Sequence, residues 1–512
     1  MKKFFKLIYS NKFFAFVMLI IQISILAAGY IWLEDYSRYF ISANTILKIL
    51  LIVYEINRDD EPSFKLTWII LIAVFPVFGA LFYLYTRAGF ISRDIHSAYE
   101  RVQSKIKSYL IQDDSVIDEI KNDDENTASF VKYLNEYGGS PAYKNTAVKY
   151  YPLGDNMFED MKKELLKANK FIFLEFFIIN LQGKMWPEIL EILKKKVKEG
   201  VEVRVLYDGM GCMTTLPRNY HERLKKNGIK CAVFSPIQPL LSTYQNNRDH
   251  RKLMIIDGRV CFVGGINLAD EYINEIERFG HWKDTGIMLT GEAVAGFTGM
   301  FLGMWDLSSG IEQDNYKEYI TISKRYGVSA DGFVVPFADS PLDSVFVGKR
   351  AYIDNLNNAK NYVHIMTPYL VIDNGMFEAI KYASHRGVDV KIILPHIPDK
   401  AYAFWLARSY YPELINAGVK IYEYAPGFIH AKMSVADGNR AIVGTINHDY
   451  RSFYLHYECA AYMFNVPAIM DIENDFKETL SQSIPITMEE YEKFSIFTKL
   501  AGRIIRIFAP LL

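Results

Sequence analysis

His250-Arg251-Lys252-Leu253-Met254-Ile255-Ile256-Asp257-Gly258 and His430-Ala431-Lys432-Met433-Ser434-Val435-Ala436-Asp437-Gly438 are the two stretches on which the reading of this chain turns. Gly264-Gly265-Ile266-Asn267 follows the first, and Gly444-Thr445-Ile446-Asn447 follows the second at the same offset, so the whole block recurs 180 positions later. In each block apolar runs flank an Asp-Gly pair, which is a strong hairpin signal. On a strand, residues i and i+2 face the same way, so His250 projects with Lys252 and His430 with Lys432. The glycines that follow let the backbone bring Asn267 or Asn447 to the same place. Each half thus presents an imidazole, an ammonium and an amide. Imidazole titrates near neutral pH and serves as nucleophile or acid, while the other two hold phosphate oxygens as charge builds. Asp257 and Asp437 complete each motif but sit at the turn, so they are expected to pair with backbone and to stay away from a phosphorus.

Working outward, strands alternate with amphipathic helices, the pattern of an α/β body. Phe171–Ile179 reads as a strand, Trp186–Lys198 as a helix, Val201–Tyr207 as a strand, and Gly228-Ile229-Lys230 leads into another. Tyr362–Ile372, a helix to Arg386, Ile392–Leu394 and Gly418-Val419-Lys420 repeat that order. The expectation is two tandem α/β/α domains related by a pseudo-two-fold axis, over residues 143–330 and 331–485. Residues 89–142 form a polar connector rich in acidic residues. Residues 486–512 form a C-terminal amphipathic helical segment carrying Lys499, Arg503 and Arg506.

Residues 1–88 read as a membrane anchor. Phe13–Leu33 and Leu66–Tyr85 carry no charge and are each long enough to cross a bilayer, with Trp32, Trp68, Tyr83 and Tyr85 toward their ends. Between them, Tyr39–Ile56 is interrupted by Asn44, Lys48 and Glu55 and either spans or lies at the interface, so two or three transmembrane helices are expected. A cleaved signal peptide would have a shorter apolar region and an A-x-A-like site. Basic residues flank every segment, so charge alone does not orient the body. This concentration of apolar residues explains a mean hydropathy of +0.01, too high for an ordinary soluble enzyme.

A net charge of −1 removes the basic excess of a nucleic-acid-binding protein. Cys212, Cys231, Cys261 and Cys459 have no zinc or redox spacing. Lys252 and Lys432, two residues from the histidines, oppose a bound cation. The site is therefore read as free of metal and cofactor.

These motifs closely resemble the phospholipase D superfamily, whose signature is a duplicated H-x-K-x4-D, and the resemblance covers nearly the whole chain. The N-terminal Trp68, Phe75-Pro76, Gly79 and Tyr83 look like the membrane anchor of bacterial cardiolipin synthases, as do Asn247–Lys252, Pro426–Lys432 and Asn447–Phe453. Gly265 and Thr445 stand where the superfamily often has Ser. The resemblance implies two phospholipase D-like domains preceded by transmembrane helices, in a multi-pass protein of the bacterial cell membrane. It implies an acidic residue behind each histidine: Glu458 fits for His430, and since Arg278 stands at the matching place in the first half, Asp284 is the candidate for His250. It also implies phosphatidyl transfer between two phosphatidylglycerol molecules, giving cardiolipin and glycerol through a phosphohistidine on His250, with His430 as acid and base. The partners would be phosphatidylglycerol, other anionic phospholipids and the membrane, with no nucleic acid. A phospholipase D-type hydrolase is the alternative, ahead of a nuclease or a non-catalytic scaffold. Glu175, Asp208 and Tyr369, at strand ends, are candidates to line the pocket.

Overall fold

A computed structural model describes residues 37–75, 78–87, 92–235, 246–312 and 315–511, together with Ile20 and Ser24. The chain divides into two units. The smaller takes its described residues from 1–93, 246 and 507–511, and the larger holds 94–236 and 247–506.

In the smaller unit, helices Ser37–Ile56, Pro62–Val74 and Phe78–Arg87 pack around Leu51, Trp68, Ile72, Ala80 and Tyr83. Tyr83 donates a 2.6 Å hydrogen bond to Glu55, which satisfies a carboxylate buried among apolar groups. The expected span Leu66–Tyr85 is not one helix. Phe75 leaves the helical region at φ −115°, ψ 81°. The physical reason is Pro76, which disfavours helical geometry in the residue before it. Gly79 then lets the second helix fold back on the first, since a Cβ there would lie 2.3 Å from the Leu71 carbonyl. No helix among the described residues is long and apolar enough to cross a membrane. Of Phe13–Leu33 only Ile20 and Ser24 are among the described residues; the rest lies outside them.

The larger unit holds two sheets of the same plan. The first contains β1 (Thr146–Tyr151), β2 (Phe171–Phe176), β3 (Glu202–Asp208), β4 (Lys230–Phe234), β5 (Lys252–Ile256), β6 (Val260–Gly264) and β7 (Gly286–Gly291), in the order β1-β7-β6-β5-β2-β3-β4. The second contains β8 (Phe333–Asp339), β9 (Tyr362–Met366), β10 (Asp389–Pro395), β11 (Lys420–Tyr424), β12 (Met433–Ala436), β13 (Arg440–Gly444), β14 (His456–Phe464) and β15 (Ser483–Ile486). Its order, β8-β14-β13-β12-β9-β10-β11-β15, repeats the first and adds one edge strand. In both, three strands run parallel (β2-β3-β4 and β9-β10-β11) and the motif hairpin closes antiparallel on the first of them. β2, β5 and β6 are buried on both faces, as expected of strands between helical layers. The acidic stretch before β1 is helical: Asp113 caps Asp114–Asp123, Asp124 caps Glu125–Gly138, and Phe130, Val131 and Leu134 are buried.

The Asp-Gly pairs turn both hairpins with positive φ at both residues, 55° and 61° in the first and 51° and 71° in the second. Each turn carboxylate does more. Asp257 accepts from the amides of Asn169, Lys170 and Phe171 at 2.8, 2.7 and 2.9 Å, and Asp437 accepts from Lys360, Asn361 and Tyr362 at 2.7, 2.8 and 2.9 Å. Each thereby ties the turn of its hairpin to the start of the first of the three parallel strands. Asp257→Ala is expected to lose about 3 kcal/mol of stability, read as a lower urea midpoint, because three amides lose a charged acceptor.

Candidate active site

The two halves meet by exchanging short parallel strands. Arg248–Asp249 pairs with the start of β14, with Arg248 opposite His456 and Asp249 opposite Tyr457. Gly427–Ile429 pairs with His281–Lys283 in the same manner, ending with Ile429 opposite Lys283. One residue beyond each pairing, the register brings His250 opposite Glu458 and His430 opposite Asp284. The backbone bonds continue in step: His250 N donates to the Tyr457 carbonyl at 3.0 Å, and His430 N to the Lys283 carbonyl at 2.7 Å.

The side chains follow. His250 Nδ1 lies 2.9 and 3.0 Å from the Glu458 carboxylate oxygens, and His430 Nδ1 lies 2.6 Å from Asp284 Oδ2. The family resemblance assigned Glu458 to His430 and Asp284 to His250. The structure reverses both pairings, because each carboxylate serves the histidine of the other half. An Nδ1–H held by a carboxylate leaves Nε2 as the lone-pair nitrogen available for chemistry.

The acids themselves are held in place. Glu458 accepts from Ser452 Oγ at 2.7 Å and from the Thr445 hydroxyl. Asp284 accepts from Thr285 N at 2.8 Å. Gly265 takes the place of Thr445 in the first half, where a Cβ would lie 2.0 Å from Asp284 Oδ1. The shorter acid needs the space that a side chain would fill.

Lys252 Nζ donates to the His250 carbonyl at 2.5 Å. Lys432 Nζ donates to the His430 carbonyl and lies 2.8 Å from His430 Nδ1. All four basic side chains are buried, and their proton affinities respond. Burial, then the lysine ammoniums, holds His250 well below the usual imidazole range and His430 down at about 4. Burial also lowers Lys252 to about 8 and Lys432 to about 7, against the pull of Glu458 and Asp284.

The asparagines differ. Asn267 was expected to hold a phosphate oxygen, but its Oδ1 accepts from Ile178 N at 2.9 Å and its Nδ2 donates to Tyr272 at 2.7 Å. It braces the loop after β2 and the Tyr272 ring, which packs edge-on to His430 at 5.4 Å. Asn447 is buried, and its Oδ1 has no partner among the described residues. Of the pocket candidates, Glu175 is fully buried 3.8 Å from Arg251, and Asp208 accepts from the amides of Met210, Gly211 and Asp249.

The chain is similar to known proteins along most of its length. Residues 161–286 and 352–480 match the family described as cardiolipin synthase, PLD-like domain, and residues 46–87 match Phospholipase_D-nuclease N-terminal. A protein of Streptococcus mutans described as uncharacterized is 51% identical over 90% of this chain and 99% of its own. Cardiolipin synthase 2 of Bacillus anthracis is 33% identical over 89% of this chain and 88% of its own. Cardiolipin synthase of Halalkalibacterium halodurans is 32% identical over 91% and 92%. The chain belongs to the cardiolipin synthase family of PLD-like proteins. The fold is also that of the solved phosphatidylserine synthase of Haemophilus influenzae, with a TM-score of 0.56 over 75% of this chain and 98% of that one at 14% identity.

Within this cardiolipin synthase framework, the first matched segment carries His250 and Asp284, and the second carries His430 and Glu458. Residues that sequence reasoning passed over surround them. Phe177 packs edge-on to His250 at 5.0 Å, Trp282 lies 5.3 Å from His430, and His456 lies 5.3 Å from His250. For His456 and Trp282 the signal in the sequence was position, two residues before Glu458 and Asp284. His250, His456 and Glu458 bring potential ligand atoms within 4.8 Å of one another. Arg451 Nε donates to His456 Nε2 at 3.2 Å, and the Lys252 ammonium feels the charge of Glu458, so two cations of the protein lie beside this donor set.

Proposed function

We propose that the chain transfers a phosphatidyl group from one phosphatidylglycerol to the primary hydroxyl of a second, giving cardiolipin and glycerol. The observation that carries this reading is the pair of buried imidazoles, each oriented through Nδ1 by a carboxylate of the other half and each accompanied by a lysine. In the first step, His250 Nε2 attacks phosphorus and the P–O bond to glycerol breaks. His430, which takes up a proton on Nε2 as the phosphodiester anion binds beside it, gives that proton to the departing oxygen, leaving a P–N bond. In the second, the acceptor oxygen bonds phosphorus, its proton passes to His430, and the P–N bond breaks. Two easier displacements replace one hard one, and the energy of the first ester is carried to the second. Lys252 and Lys432 face the non-bridging oxygens, where burial strengthens their attraction. Purified enzyme in phosphatidylglycerol vesicles tests the reading. Cardiolipin with glycerol supports it, whereas phosphatidic acid would make water the acceptor.

The lowered lysine values set a pH dependence. An ammonium lowered to about 7 is charged below that pH and neutral above it. The kcat/KM is therefore expected to fall as pH rises through about 7 to 8, and Lys432→Arg should push that decline to higher pH even where its rate is lower. An identical alkaline limb in both enzymes would rule Lys432 out as its source.

The lipid surface is the second partner. Helix Ile496–Arg506 turns Gly502 toward Trp405 and Ser409 and leaves Ile496, Phe497, Leu500 and Ile504 exposed, with Arg503 beside them. That arrangement fits anionic bilayer lipid. Helix Ser37–Ile56 likewise exposes Ile46, Ile49, Leu50 and Val53. The uncharged Phe13–Leu33 stretch is, by length and composition, suited to cross a bilayer and would hold the enzyme at its substrate.

A further inference from the structure

We infer that Lys400 receives the phosphate of the acceptor phospholipid, a binding role apart from the reacting phosphate. This rests on the phosphatidyl transfer proposed above and specifies how that site takes its second substrate. The product carries two phosphodiesters joined by one glycerol. Lys252 and Lys432 are buried at the reacting phosphorus, 2% and 0% exposed, and are committed there. The acceptor brings a second anion three carbons from its attacking hydroxyl, and an anion drawn out of water needs a counter-charge of its own.

Lys400, at the edge of a narrow crevice, supplies one. Tyr369, Lys400, Phe404 and Phe428 line the crevice, with Pro368 and Pro395 as further apolar wall. Phe428 joins it to the site, since its ring lies 5.8 Å from His430 and 5.0 Å from Trp282. The Lys400 ammonium is the weakest of the named charges that disfavour protonation of His250, so it stands within reach of the site while the buried lysines dominate at the imidazole. Unlike Lys252 and Lys432 it remains in contact with water, its side chain 48% accessible. It is also held in place. Nζ donates to the Tyr369 hydroxyl at 3.2 Å and sits 4.9 Å over that ring, while the hydroxyl donates to Asp399 at 2.6 Å. Asp399, the carboxylate in the pocket lining, lies 3.9 Å from Nζ and is engaged by Tyr369. A lysine already restrained in this way gives up less rotamer freedom when it binds an anion.

Lys400 makes and breaks no bond. The acceptor oxygen still bonds phosphorus, its proton goes to His430, and the P–N bond to His250 breaks. The role is therefore visible only in the choice of acceptor. The full-length enzyme in phosphatidylcholine bilayers with limiting phosphatidylglycerol tests it through two reactions. Cardiolipin formation uses an acceptor that carries a phosphate. Exchange of radiolabelled glycerol into phosphatidylglycerol uses one that carries none, and it passes through the same first step. Lys400→Ala is expected to lower cardiolipin formation on the order of tenfold, with glycerol exchange kept within about twofold, and Lys400→Arg to restore most of the loss. Equal loss of both reactions, or loss of neither, would overturn the inference. Absence of both reactions in the unaltered enzyme would instead overturn the transfer reading, and this inference with it.

Discussion

Alanine at His250 or at His430 is expected to cut cardiolipin formation by about 10⁴-fold or more, the scale on which removal of one member of a nucleophile–base pair acts. The two losses differ in kind. His250→Ala removes the atom that bonds phosphorus, so no phospho-enzyme forms from any donor. His430→Ala removes only the proton donor, and a leaving group that needs no proton bypasses it. Phosphatidyl-p-nitrophenol is such a donor. His430→Ala is expected to release one equivalent of p-nitrophenolate per enzyme in a burst and then stall, while His250→Ala gives no burst. A burst from His250→Ala and none from His430→Ala would exchange the two roles. A burst from both would mean that His250 is not the sole nucleophile and would overturn that assignment.

The crossed carboxylates make a second prediction of about 10³- to 10⁴-fold, the effect seen when an imidazole loses the acid that sets its tautomer and orientation. Glu458 lies in the second half of the chain but holds His250. Glu458→Gln is therefore expected to abolish the p-nitrophenolate burst, as His250→Ala does. Asp284 lies in the first half but holds His430. Asp284→Asn is expected to keep the burst and to lose cardiolipin formation, as His430→Ala does. Both substitutions preserve side-chain volume, and the amide introduced by Glu458→Gln keeps an oxygen for one of the Ser452 and Thr445 hydroxyls and offers an N–H to the other, so a folded protein is expected in each case. Pairing within each half would give the opposite pattern.

How much of this could be read beforehand depends on distance along the chain. The hairpin Lys252–Gly264 was legible because its signals, apolar runs around Asp-Gly, lie within about a dozen residues. The duplication was legible because both copies keep the same internal spacing, and the two sheets do share one strand order. The partner of each histidine was not. Glu458 lies 28 residues after His430, and Asp284 lies 34 after His250, so a shift of 180 lands on Arg278. The first half carries six more residues before the carboxylate, in the loop between the short helix Asp270–Ile273 and the strand His281–Lys283; the second half has its own short helix, Tyr450–Tyr454, at the matching offset. Structural equivalence shows only in the backbone, where Gly265 N donates to the Thr285 carbonyl as Thr445 N does to that of Cys459. The apolar run Leu66–Tyr85 shows the opposite failure. Hydropathy counted its length, but Pro76 within it carried the conformational information.

By itself, the sequence determined the duplicated α/β body, the hairpins, the projection of each histidine with its lysine and the apolar character of the N-terminal segments. All of these are set by residue type and by periodicities of 2 or 3.6 over short windows. Only the tertiary structure decided that each imidazole takes its carboxylate from the other half, that Asn267 braces a loop, and that Lys400 reaches the field of His250. These contacts join residues as many as 208 positions apart. They depend on which strand lies beside which once the two sheets meet, and a one-residue change of register there would bring different side chains together.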